Sequence, residues 1–335
     1  MPSACFDVMV IGSNSFCGAG FVDCMLTQGY RVLGVSRSHL GDPSFCRFAD
    51  NEKISNFQFH QIDLNASGSI EYLGDLLKKS ASPVVVNFSA QGMVAQSWDS
   101  PVDWYLTNVL AQVRLFELLR NVRHLEQYIH FSTPEVYGSN LESIDEGRAH
   151  NPTTPYAISR SCSDRHLIAL SEHWGFPAVI TRASNVYGAY QQLYRIVPRT
   201  VLACLGFEKL TLDGGGDSLR NFLHVDDCSN ALRLIIESSA QKNSYHISGD
   251  RYISISDLVR KIVLAMGCDY LECVNEGPER AGKDYAYKLD AASIVDELGW
   301  RASVKLDDGI REAVEWLRAV KSKIDPSQLA YSHKR

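Results

Sequence analysis

Short apolar runs alternate with segments of helical periodicity along the first half of the chain. The runs cover residues 6–11, 31–35, 57–62, 84–88, 128–131 and 178–182. Segments with apolar positions at helical spacing lie between them, for example 19–28, 102–120 and 156–173. Runs without polar alternation are typical of strands buried on both faces, which occur in parallel sheets covered by helices. The pattern predicts an α/β fold built on a Rossmann-type, doubly wound parallel sheet.

The first apolar run ends at a glycine-containing turn over residues 12–18, and a helical segment follows at once. A strand, a glycine turn and a helix in this order are typical of a dinucleotide-binding fold. The backbone N–H groups at the start of such a helix hold a pyrophosphate. The alternative is a turn that needs glycine only for its backbone conformation. The residues expected at the cofactor are Gly12, Ser15, Phe16 and Gly18.

The second apolar run ends at Ser36 and Arg37. NAD-specific folds usually place a carboxylate here, which accepts hydrogen bonds from the adenosine ribose. An arginine at this position pairs instead with a 2′-phosphate, because its guanidinium matches phosphate oxygens. We therefore predict NADP as the preferred cofactor, with NAD as the alternative. Arg37 could instead be a solvent-exposed loop residue that binds no cofactor.

Ionisable residues follow the fifth apolar run, in the segment 132–138 and at the start of the next helix. Ligands bind at the carboxyl ends of strands in a doubly wound sheet. We therefore expect the hydroxyl of Thr133, the carboxylate of Glu135 and the phenol of Tyr156 to meet there. Arg160 lies one helical turn after Tyr156, on the same face. A cation at this place is expected to lower the pKa of Tyr156 and make it a proton acceptor near neutral pH.

Composition excludes several classes of function. The net charge is −6, from 33 basic and 39 acidic residues, and no basic block occurs, so nucleic acid is not an expected partner. The nine cysteines are scattered and never spaced Cys-x-x-Cys, which predicts reduced thiols, no metal site and a cytoplasmic protein. No apolar run approaches the ~20 residues of a membrane span.

With these motifs in this order, the chain resembles the extended short-chain dehydrogenase/reductases. Within them, it is most similar to the GDP-mannose and dTDP-glucose 4,6-dehydratases. The resemblance runs from Gly12 to Trp300. It implies a dinucleotide-binding domain at 1–184 plus about 221–247, and a smaller, interleaved nucleotide-sugar domain at about 185–220 and 248–324. The remaining residues, 325–335, are predicted to form a polar, mobile tail.

The resemblance also assigns roles to residues outside the motifs above. It implies that Asn108 braces the catalytic region, and that helices 102–120 and 156–173 form a homodimer interface. For the helices, burial within their own domain is the alternative. The further cofactor contacts implied are Asp63, Leu64, Ser89, Ala90 and Gln91, together with Tyr156 and Arg160. The contacts implied for a nucleotide-diphosphate sugar are Asn185, Arg220 and Arg280.

The family mechanism implies an internal oxidation and reduction at a tightly bound cofactor that is regenerated in each turnover. Tyr156 deprotonates the sugar 4-hydroxyl, Thr133 hydrogen-bonds the same oxygen, and Glu135 removes the C5 proton. Loss of the 6-hydroxyl and hydride return to C6 then give a 4-keto-6-deoxy sugar.

The sequence departs from the family at two positions. Arg160 replaces the usual lysine, and Pro134 stands where these dehydratases carry Asp or Ser. The acid that protonates the leaving hydroxyl is therefore open between protonated Glu135, a water and Tyr156. An epimerase, a UDP-glucuronate-type decarboxylase, a dehydratase of other regiochemistry and a non-enzymatic NADP or sugar-nucleotide sensor are the alternatives. The nucleobase is not readable from the sequence.

Overall fold

The apolar runs of the sequence become strands in the computed structural model, which describes residues 5–238, 242–279 and 285–333. The strands are β1 (Val8–Ile11), β2 (Val32–Ser36), β3 (Phe57–Gln61), β4 (Val84–Asn87), β5 (Gln127–Ser132), β6 (Ser143–Ile144), β7 (Ala178–Ala183), β8 (Asn185–Tyr187), β9 (Leu210–Asp213), β10 (Leu219–His224), β11 (Ser244–Ile247), β12 (Tyr252–Ser254), β13 (Val274–Gly277) and β14 (Lys288–Leu289).

Seven of these strands form one parallel sheet in the order β11-β7-β5-β4-β1-β2-β3. β1 lies between β2 and β4, with Val10 opposite Gly34 on one side and Val86 on the other. The chain therefore winds outward in both directions from β1 and β4. The doubly wound α/β fold predicted from the sequence is confirmed.

Helices cover both faces of the sheet. They are α1 (Phe16–Thr27), α2 (Ser69–Ser80), α3 (Pro101–Tyr105), α4 (Ala111–Arg120), α5 (Pro155–Trp174), α6 (Ile196–Cys204), α7 (Val225–Glu237), α8 (Ile255–Met266), α9 (Tyr270–Cys273), α10 (Ala292–Leu298) and α11 (Leu306–Val320). A π-helical turn, Leu106–Leu110, joins α3 to α4. The predicted helix over 102–120 is thus interrupted, and such turns are frequent at functional sites.

Alternate residues of β1 point to opposite faces of the sheet, as a strand requires. Val8 and Val10 pack with α1 and α7, whereas Met9 and Ile11 pack with α2, α4 and α5. Because every side chain of β1 is buried, the strand shows no polar alternation in the sequence. The two apolar layers hold the carboxyl ends of β1, β4 and β5 at one edge of the sheet.

A smaller unit packs around α6, α8 and α11 and lies beyond that edge. It contains a three-stranded sheet, β12-β10-β8, and the parallel pair β9 and β13. β10 therefore belongs to this unit, whereas β11 returns to the main sheet beside β7. The sequence analysis placed residues from about 221 in the dinucleotide-binding domain, whereas β10 (Leu219–His224) pairs with strands of the smaller unit. The domain division stays a prediction. Among the described residues, no helix combines the length and the apolar character needed to cross a bilayer.

Candidate active site

The main sheet and the smaller unit enclose a cleft of about 920 Å³ at the carboxyl ends of β1, β4 and β5. This volume lies at the upper end of the roughly 300–1,000 Å³ typical of ligand pockets. The wall on the main-sheet side is formed by the glycine turn, the loops after β2, β4 and β5, and α5. The opposite wall is formed by the start of α6 and by β9 and β10.

The glycine turn is held by its own backbone and by Ser15. The Ser15 hydroxyl donates to the Gly12 carbonyl (2.7 Å) and accepts from the Gly18 N–H (3.1 Å), which caps α1. A Cβ on Gly18 would lie 2.2 Å from the Gly12 carbonyl oxygen, and Gly12 itself has φ +81°. A larger residue at Gly18 would therefore separate the turn from the helix, and one at Gly12 would collide with the backbone of Phe88 and Ser89 after β4.

Ser15 and Phe16 line the cleft, together with Cys17. Burial raises the pKa of the Cys17 thiol to about 12, with the charge of Arg195 opposing this, so the thiol is neutral. The first turn of α1 carries no acidic residue, and the N-terminus of a helix attracts an anion. This end of the cleft thus fits the pyrophosphate of a dinucleotide.

The residues predicted at the adenosine end divide into two groups. Arg37 lines the cleft, but Ser36 lies beneath the glycine turn, where its hydroxyl accepts from the Asn14 N–H (2.9 Å). Asp63 accepts from the Asn65 N–H (3.0 Å), and Leu64 is buried in the core. Ser36, Asp63 and Leu64 are therefore outside the lining of the cleft, because each one is used in local structure.

The loop after β4 brings Ala90 and Gln91 to the cleft, while Ser89 binds back to Asn87 through its N–H (2.9 Å) and its hydroxyl (2.6 Å). The side chain of Asn108, in the π-helical turn, accepts from the Gln91 N–H (2.7 Å) and donates to the Gln91 carbonyl (3.0 Å). It also donates to the Ser159 hydroxyl (3.0 Å). Asn108 thus connects the β4 loop to α5.

Thr133, Glu135, Tyr156 and Arg160 all line the same end of the cleft. Thr133 caps a short helical turn, Pro134–Tyr137, by accepting from the Glu135 N–H (3.4 Å). Pro134 is the first residue of that turn, a place where its missing N–H costs nothing. The structure therefore brings together the hydroxyl, carboxylate, phenol and guanidinium that the sequence placed in two separate motifs.

The acid–base balance at Tyr156 differs from the sequence expectation. Burial raises the pKa of the Tyr156 phenol, and the nearby carboxylate of Glu135 raises it further. The charge of Arg160 and a hydrogen bond with Thr133 lower the pKa, but they do not outweigh the first two effects. The expected net lowering by Arg160 is therefore absent in the protein alone, because desolvation of the phenolate dominates.

Arg160 is buried and only partly satisfied. Its Nη2 donates to the Phe131 carbonyl (2.6 Å) and lies 3.2 Å from His130 Nε2. Its Nε and Nη1 are buried without a hydrogen-bond partner within the described residues. Leaving charged donors unsatisfied is costly. The guanidinium therefore fits a ligand that offers acceptor oxygens at this place, such as the hydroxyls of a nicotinamide ribose.

A buried ion pair lies behind Arg160. Asp164 accepts from Arg182 Nη2 (2.7 Å) and from the Ser132 hydroxyl (2.8 Å). Burial alone would raise the pKa of the Asp164 carboxyl, but the charges of Arg182 and Arg160 and the hydrogen bond from Ser132 together lower it. Burial, then Arg160, lowers the pKa of His130 to about 3, so this imidazole is neutral. The charges beneath the catalytic residues are thus held on guanidinium and carboxylate groups.

The opposite wall carries Asn185 and Arg220. Asn185 accepts from the Tyr287 hydroxyl (2.6 Å), and the Arg220 guanidinium lies 4.6 Å from the centre of the Tyr287 ring. Arg220 also donates to the Tyr285 carbonyl (3.1 Å). The third predicted substrate contact, Arg280, lies outside the described residues.

Two cationic residues of this wall were missed by the sequence analysis. Arg195 precedes α6 and Arg199 lies one turn later, so both face the cleft. A Cβ added to Gly92, on the β4 loop, would lie 3.7 Å from Arg195 Nη2. Arg195 therefore extends across the cleft to the main-sheet wall. The signal in the sequence was their four-residue spacing, which places two arginines on the same face of a helix. The carboxylates of the described lining are Glu135 and Asp213, so the cleft is predominantly basic and suits diphosphates.

The end of the chain also differs from its prediction as a mobile tail. Tyr331 and Ser332 line the cleft, and Leu329 is buried. Elsewhere, Cys204, Cys268 and Cys273 place their sulfur atoms within 4.8 Å of one another. The sequence separation of these cysteines hides this proximity. Three sulfur ligands are one fewer than the four of a structural zinc site.

Comparison with known proteins identifies the family. The model of the GDP-mannose 4,6 dehydratase family matches residues 9–313. The dTDP-glucose 4,6-dehydratase of Streptomyces niveus is 31% identical, over 93% of this chain and 92% of its own length. The dTDP-glucose 4,6-dehydratase DesIV of Streptomyces venezuelae, solved with NAD and TYD, is 27% identical. Its TM-score is 0.87, and the match covers 95% of this chain and 99% of DesIV.

The UDP-glucose 4-epimerase of Thermus thermophilus, solved with NAD, shares the fold with a TM-score of 0.82. It is 23% identical, over 93% of this chain and 98% of its own. The fold alone thus extends to epimerases, whereas the matching family model and the more similar relatives are dehydratases. The chain belongs to the GDP-mannose 4,6-dehydratase family, among the nucleotide-sugar dehydratases of the extended short-chain dehydrogenase/reductases.

Proposed function

We propose that this protein is a nucleotide-sugar 4,6-dehydratase that converts a nucleotide-diphosphate hexose into its 4-keto-6-deoxy form. The observation that carries the proposal is the convergence of Thr133, Glu135, Tyr156 and Arg160 at one end of a basic cleft. A simple 4-epimerase needs the phenol and a cofactor but no carboxylate for C5. Glu135 beside Tyr156 therefore favours dehydration, in agreement with the names of the relatives.

Tyr156 removes the proton of the sugar 4-hydroxyl, and Thr133 hydrogen-bonds the same oxygen. The glycine turn and Arg160 would hold a nicotinamide dinucleotide in the cleft, and this cofactor would supply the hydride acceptor for C4 and the hydride donor for C6. Because burial and Glu135 raise the pKa of Tyr156 in the protein alone, the positive charge of an oxidised nicotinamide would favour the phenolate. The phenol is thus activated when cofactor and substrate are both in place.

Glu135 removes the C5 proton, which the 4-ketone has made acidic, and becomes a carboxylic acid. We propose that this acid then gives the same proton to the departing 6-hydroxyl, which leaves as water while Glu135 returns to its carboxylate form. After hydride return to C6, C5 takes a proton that exchanges with solvent. Support comes from Pro134, which offers no acid, and from the described lining of the cleft, where the other carboxylate, Asp213, lies on the opposite wall.

The sugar diphosphate is proposed to lie against the wall that carries Arg195 and Arg220, with Asn185 and Arg280 as further contacts. Planar guanidinium groups pair with phosphate oxygens through two parallel hydrogen bonds. Tyr287 supports this arrangement, because it contacts both Asn185 and Arg220. We propose a corresponding domain division, with the dinucleotide-binding domain on the main-sheet side of the cleft and the nucleotide-sugar domain on the other.

For the cofactor we propose a preference for NADP over NAD. Arg37 lies in the cleft at the end of β2, the position where NAD-specific folds carry a carboxylate. Two solved dTDP-glucose 4,6-dehydratases of the same fold contain NAD, so the proposal of NADP rests on Arg37. Direct titration with both dinucleotides tests the preference, and much tighter binding of NAD would overturn it.

We further propose a homodimer formed through α3, the π-helical turn, α4 and α5. The surface of these helices exposes several large apolar side chains, a feature of interaction sites: Val102, Tyr105, Leu106, Leu110 and Ile158. Light scattering of the purified protein should give the mass of two chains. Leu106→Glu should reduce this to one, and a wild-type monomer would contradict the proposal.

A cytoplasmic location is proposed from composition. Nine cysteines without Cys-x-x-Cys spacing are typical of a reducing compartment. Protein isolated without reductant and then unfolded should show nine reactive thiols. A lower number that rises on reduction would indicate disulfides and another compartment.

Incubation with GDP-, dTDP-, UDP- and CDP-sugars in deuterated water, followed by mass spectrometry, tests the function directly. Dehydration removes the mass of one water and adds one deuterium. A decarboxylase would release carbon dioxide, an epimerase would leave the mass unchanged, and a binding protein would change nothing. Any of these three results across the panel would overturn the proposed dehydration.

A further inference from the structure

The last described residues form a bridge between the two walls of the cleft. On the side of the smaller unit, Leu329 is buried in the apolar cluster that contains Val197 of α6 and Leu317 of α11. On the side of the main sheet, His333 lies against α3, with its ring stacked 5.0 Å from that of Trp104 at an interplanar angle of 10°. Residues 330–332 therefore cross from one wall to the other.

The far anchor of this bridge is a specific hydrogen-bonded arrangement. His333 Nε2 lies 2.7 Å from Asp103 Oδ2, and His333 Nδ1 lies 2.9 Å from Gln91 Nε2. Because an amide nitrogen only donates, Nδ1 accepts from Gln91 and Nε2–H donates to the Asp103 carboxylate. One imidazole thus uses both nitrogens and its ring face to hold the end of the chain.

Between the two anchors, Tyr331 contacts both walls at once. Its hydroxyl accepts from Gln91 Nε2 (3.2 Å), and its ring packs edge-on against Tyr194, with ring centres 5.5 Å apart. Tyr331 and Ser332 line the same cleft as Ser15 and Arg37. An aromatic ring and two hydroxyl groups are therefore added to the cleft by the tail.

We propose that residues 330–333 form a strap that closes over the bound nicotinamide dinucleotide, with Tyr331 and Ser332 as part of the cofactor site. This proposal rests on the proposed function. Gln91, which both Tyr331 and His333 contact, belongs to the β4 loop expected to approach the dinucleotide. Arg37 and Arg195 lie near the Tyr331 phenol from the two walls, so the strap lies where an anionic ligand would be enclosed.

A strap over the cofactor is compatible with turnover because of the chemistry of the reaction. The dinucleotide is reduced and reoxidised within each catalytic cycle, so no exchange with solvent is needed. Slow release of the dinucleotide therefore does not slow the reaction. The nucleotide sugar and product must exchange in every cycle, and the strap should affect them much less.

The experiment compares a chain that ends at Leu329 with a chain that ends at His333, which keeps all the strap contacts. Each protein is loaded with NADP or NAD and freed of excess by rapid desalting. Dinucleotide release is then followed by displacement with a fluorescent analogue. We expect release about tenfold faster or more from the shorter chain, from the loss of a few hydrogen bonds and an aromatic contact. The chain that ends at His333 should match the full chain.

Two point variants test the same proposal if the truncated chain does not fold. Tyr331→Ala should accelerate release, and Asp103→Asn should do so to a smaller extent, because it weakens only the anchor. For Asp103→Asn, which leaves every residue of the cofactor site unchanged, kcat with excess dinucleotide should stay within a few-fold of the full chain. Equal release from every variant overturns the strap. Tighter cofactor binding after truncation would also overturn the strap, because the tail would then oppose binding. An effect on the KM of the nucleotide sugar alone would overturn it as well, because the tail would then belong to the substrate site.

The strap and the proposed function fail in distinguishable ways. If the full chain binds neither dinucleotide, the cofactor assignment falls and the strap falls with it. If the full chain binds a dinucleotide and dehydrates a sugar nucleotide, but truncation leaves release unchanged, only the strap is wrong.

Discussion

The two walls of the cleft are built in different ways. On the main-sheet wall, the site depends on backbone geometry: the glycine turn, the cap of α1 by Ser15, and the Asn108 bridge between the β4 loop and α5. The opposite wall presents long side chains, Arg195 from the start of α6 and Arg220 from β10. On the main-sheet wall, the close backbone contacts of the glycine turn leave no room for an added methyl group. On the opposite wall, ligand binding depends on the charge and the planar shape of the guanidinium groups.

The catalytic residues lie on the main-sheet wall. Thr133 and Tyr156 each sit at or beside the start of a helical turn, after a strand end or a proline that fixes their approach. This wall positions the chemistry and the other wall positions the substrate. Substitutions on the two sides should therefore change different kinetic quantities.

The largest effect is expected from Tyr156→Phe. Loss of the phenol removes the base for the 4-hydroxyl, and general acid–base catalysis contributes about 10²–10⁴-fold. We expect this loss in turnover and in the transient reduction of the cofactor, measured by absorbance. Tyr194→Phe, on the opposite wall, is the control and should stay within a few-fold. Persistent cofactor reduction in Tyr156→Phe would show that another residue acts as the base in the oxidation step.

Gly18→Ala should weaken dinucleotide binding by about 10–100-fold, from roughly 1–3 kcal/mol of overpacking. The added methyl group would lie 2.2 Å from the Gly12 carbonyl oxygen, and backbone cannot rotate away. Titration calorimetry measures the loss. Gly41→Ala is the matched control, because a methyl group at that position would have no described atom within 4 Å beyond its chain neighbours. Equal affinity in both variants would show that the turn does not hold the cofactor.

Arg220→Lys should raise the KM for the nucleotide sugar about tenfold, with little change in cofactor retention. Lysine keeps the charge but loses the planar fork and the contact with the Tyr287 ring. Arg311→Lys, at an exposed site, serves as the control. A larger change in dinucleotide binding than in KM would place Arg220 at the cofactor instead.

The smallest effect is a shift of a pH profile. Burial and then Glu135 raise the pKa of Tyr156, and the phenol acts as a base only when it is deprotonated. Removing the carboxylate in Glu135→Gln lowers the pKa of Tyr156. The rate of transient cofactor reduction should therefore begin to rise at lower pH than in the wild type. An unchanged or higher-pH profile would mean that the two groups do not interact in the active complex.

The difference between the walls also explains what the sequence could predict. The doubly wound sheet was predictable because its central strands are buried on both faces. The glycine turn and the pair Tyr156 and Arg160 were predictable because each works through neighbours a few residues away. Arg195 and the contact of Tyr331 with Gln91 were not, because they depend on residues more than a hundred positions apart. Ser36 shows another limit, since its hydroxyl accepts from the Asn14 N–H, a local contact that the motif did not predict.

The acid–base balance at Tyr156 shows a further limit. Spacing along a helix brings Arg160 to the right face, but the degree of burial and the proximity of Glu135 come from the tertiary fold. The sequence therefore indicated which charges surround the phenol, and the direction of the net pKa change required the structure.

The most direct test of the account is a single turnover of Glu135→Gln in deuterated water with an accepted sugar nucleotide. Tyr156 remains, so the cofactor should be reduced as C4 is oxidised. Without the carboxylate, the sugar should gain no deuterium at C5 and lose no water. Complete dehydration by this variant, with deuterium at C5, would contradict Glu135 as the base and with it the proposed mechanism.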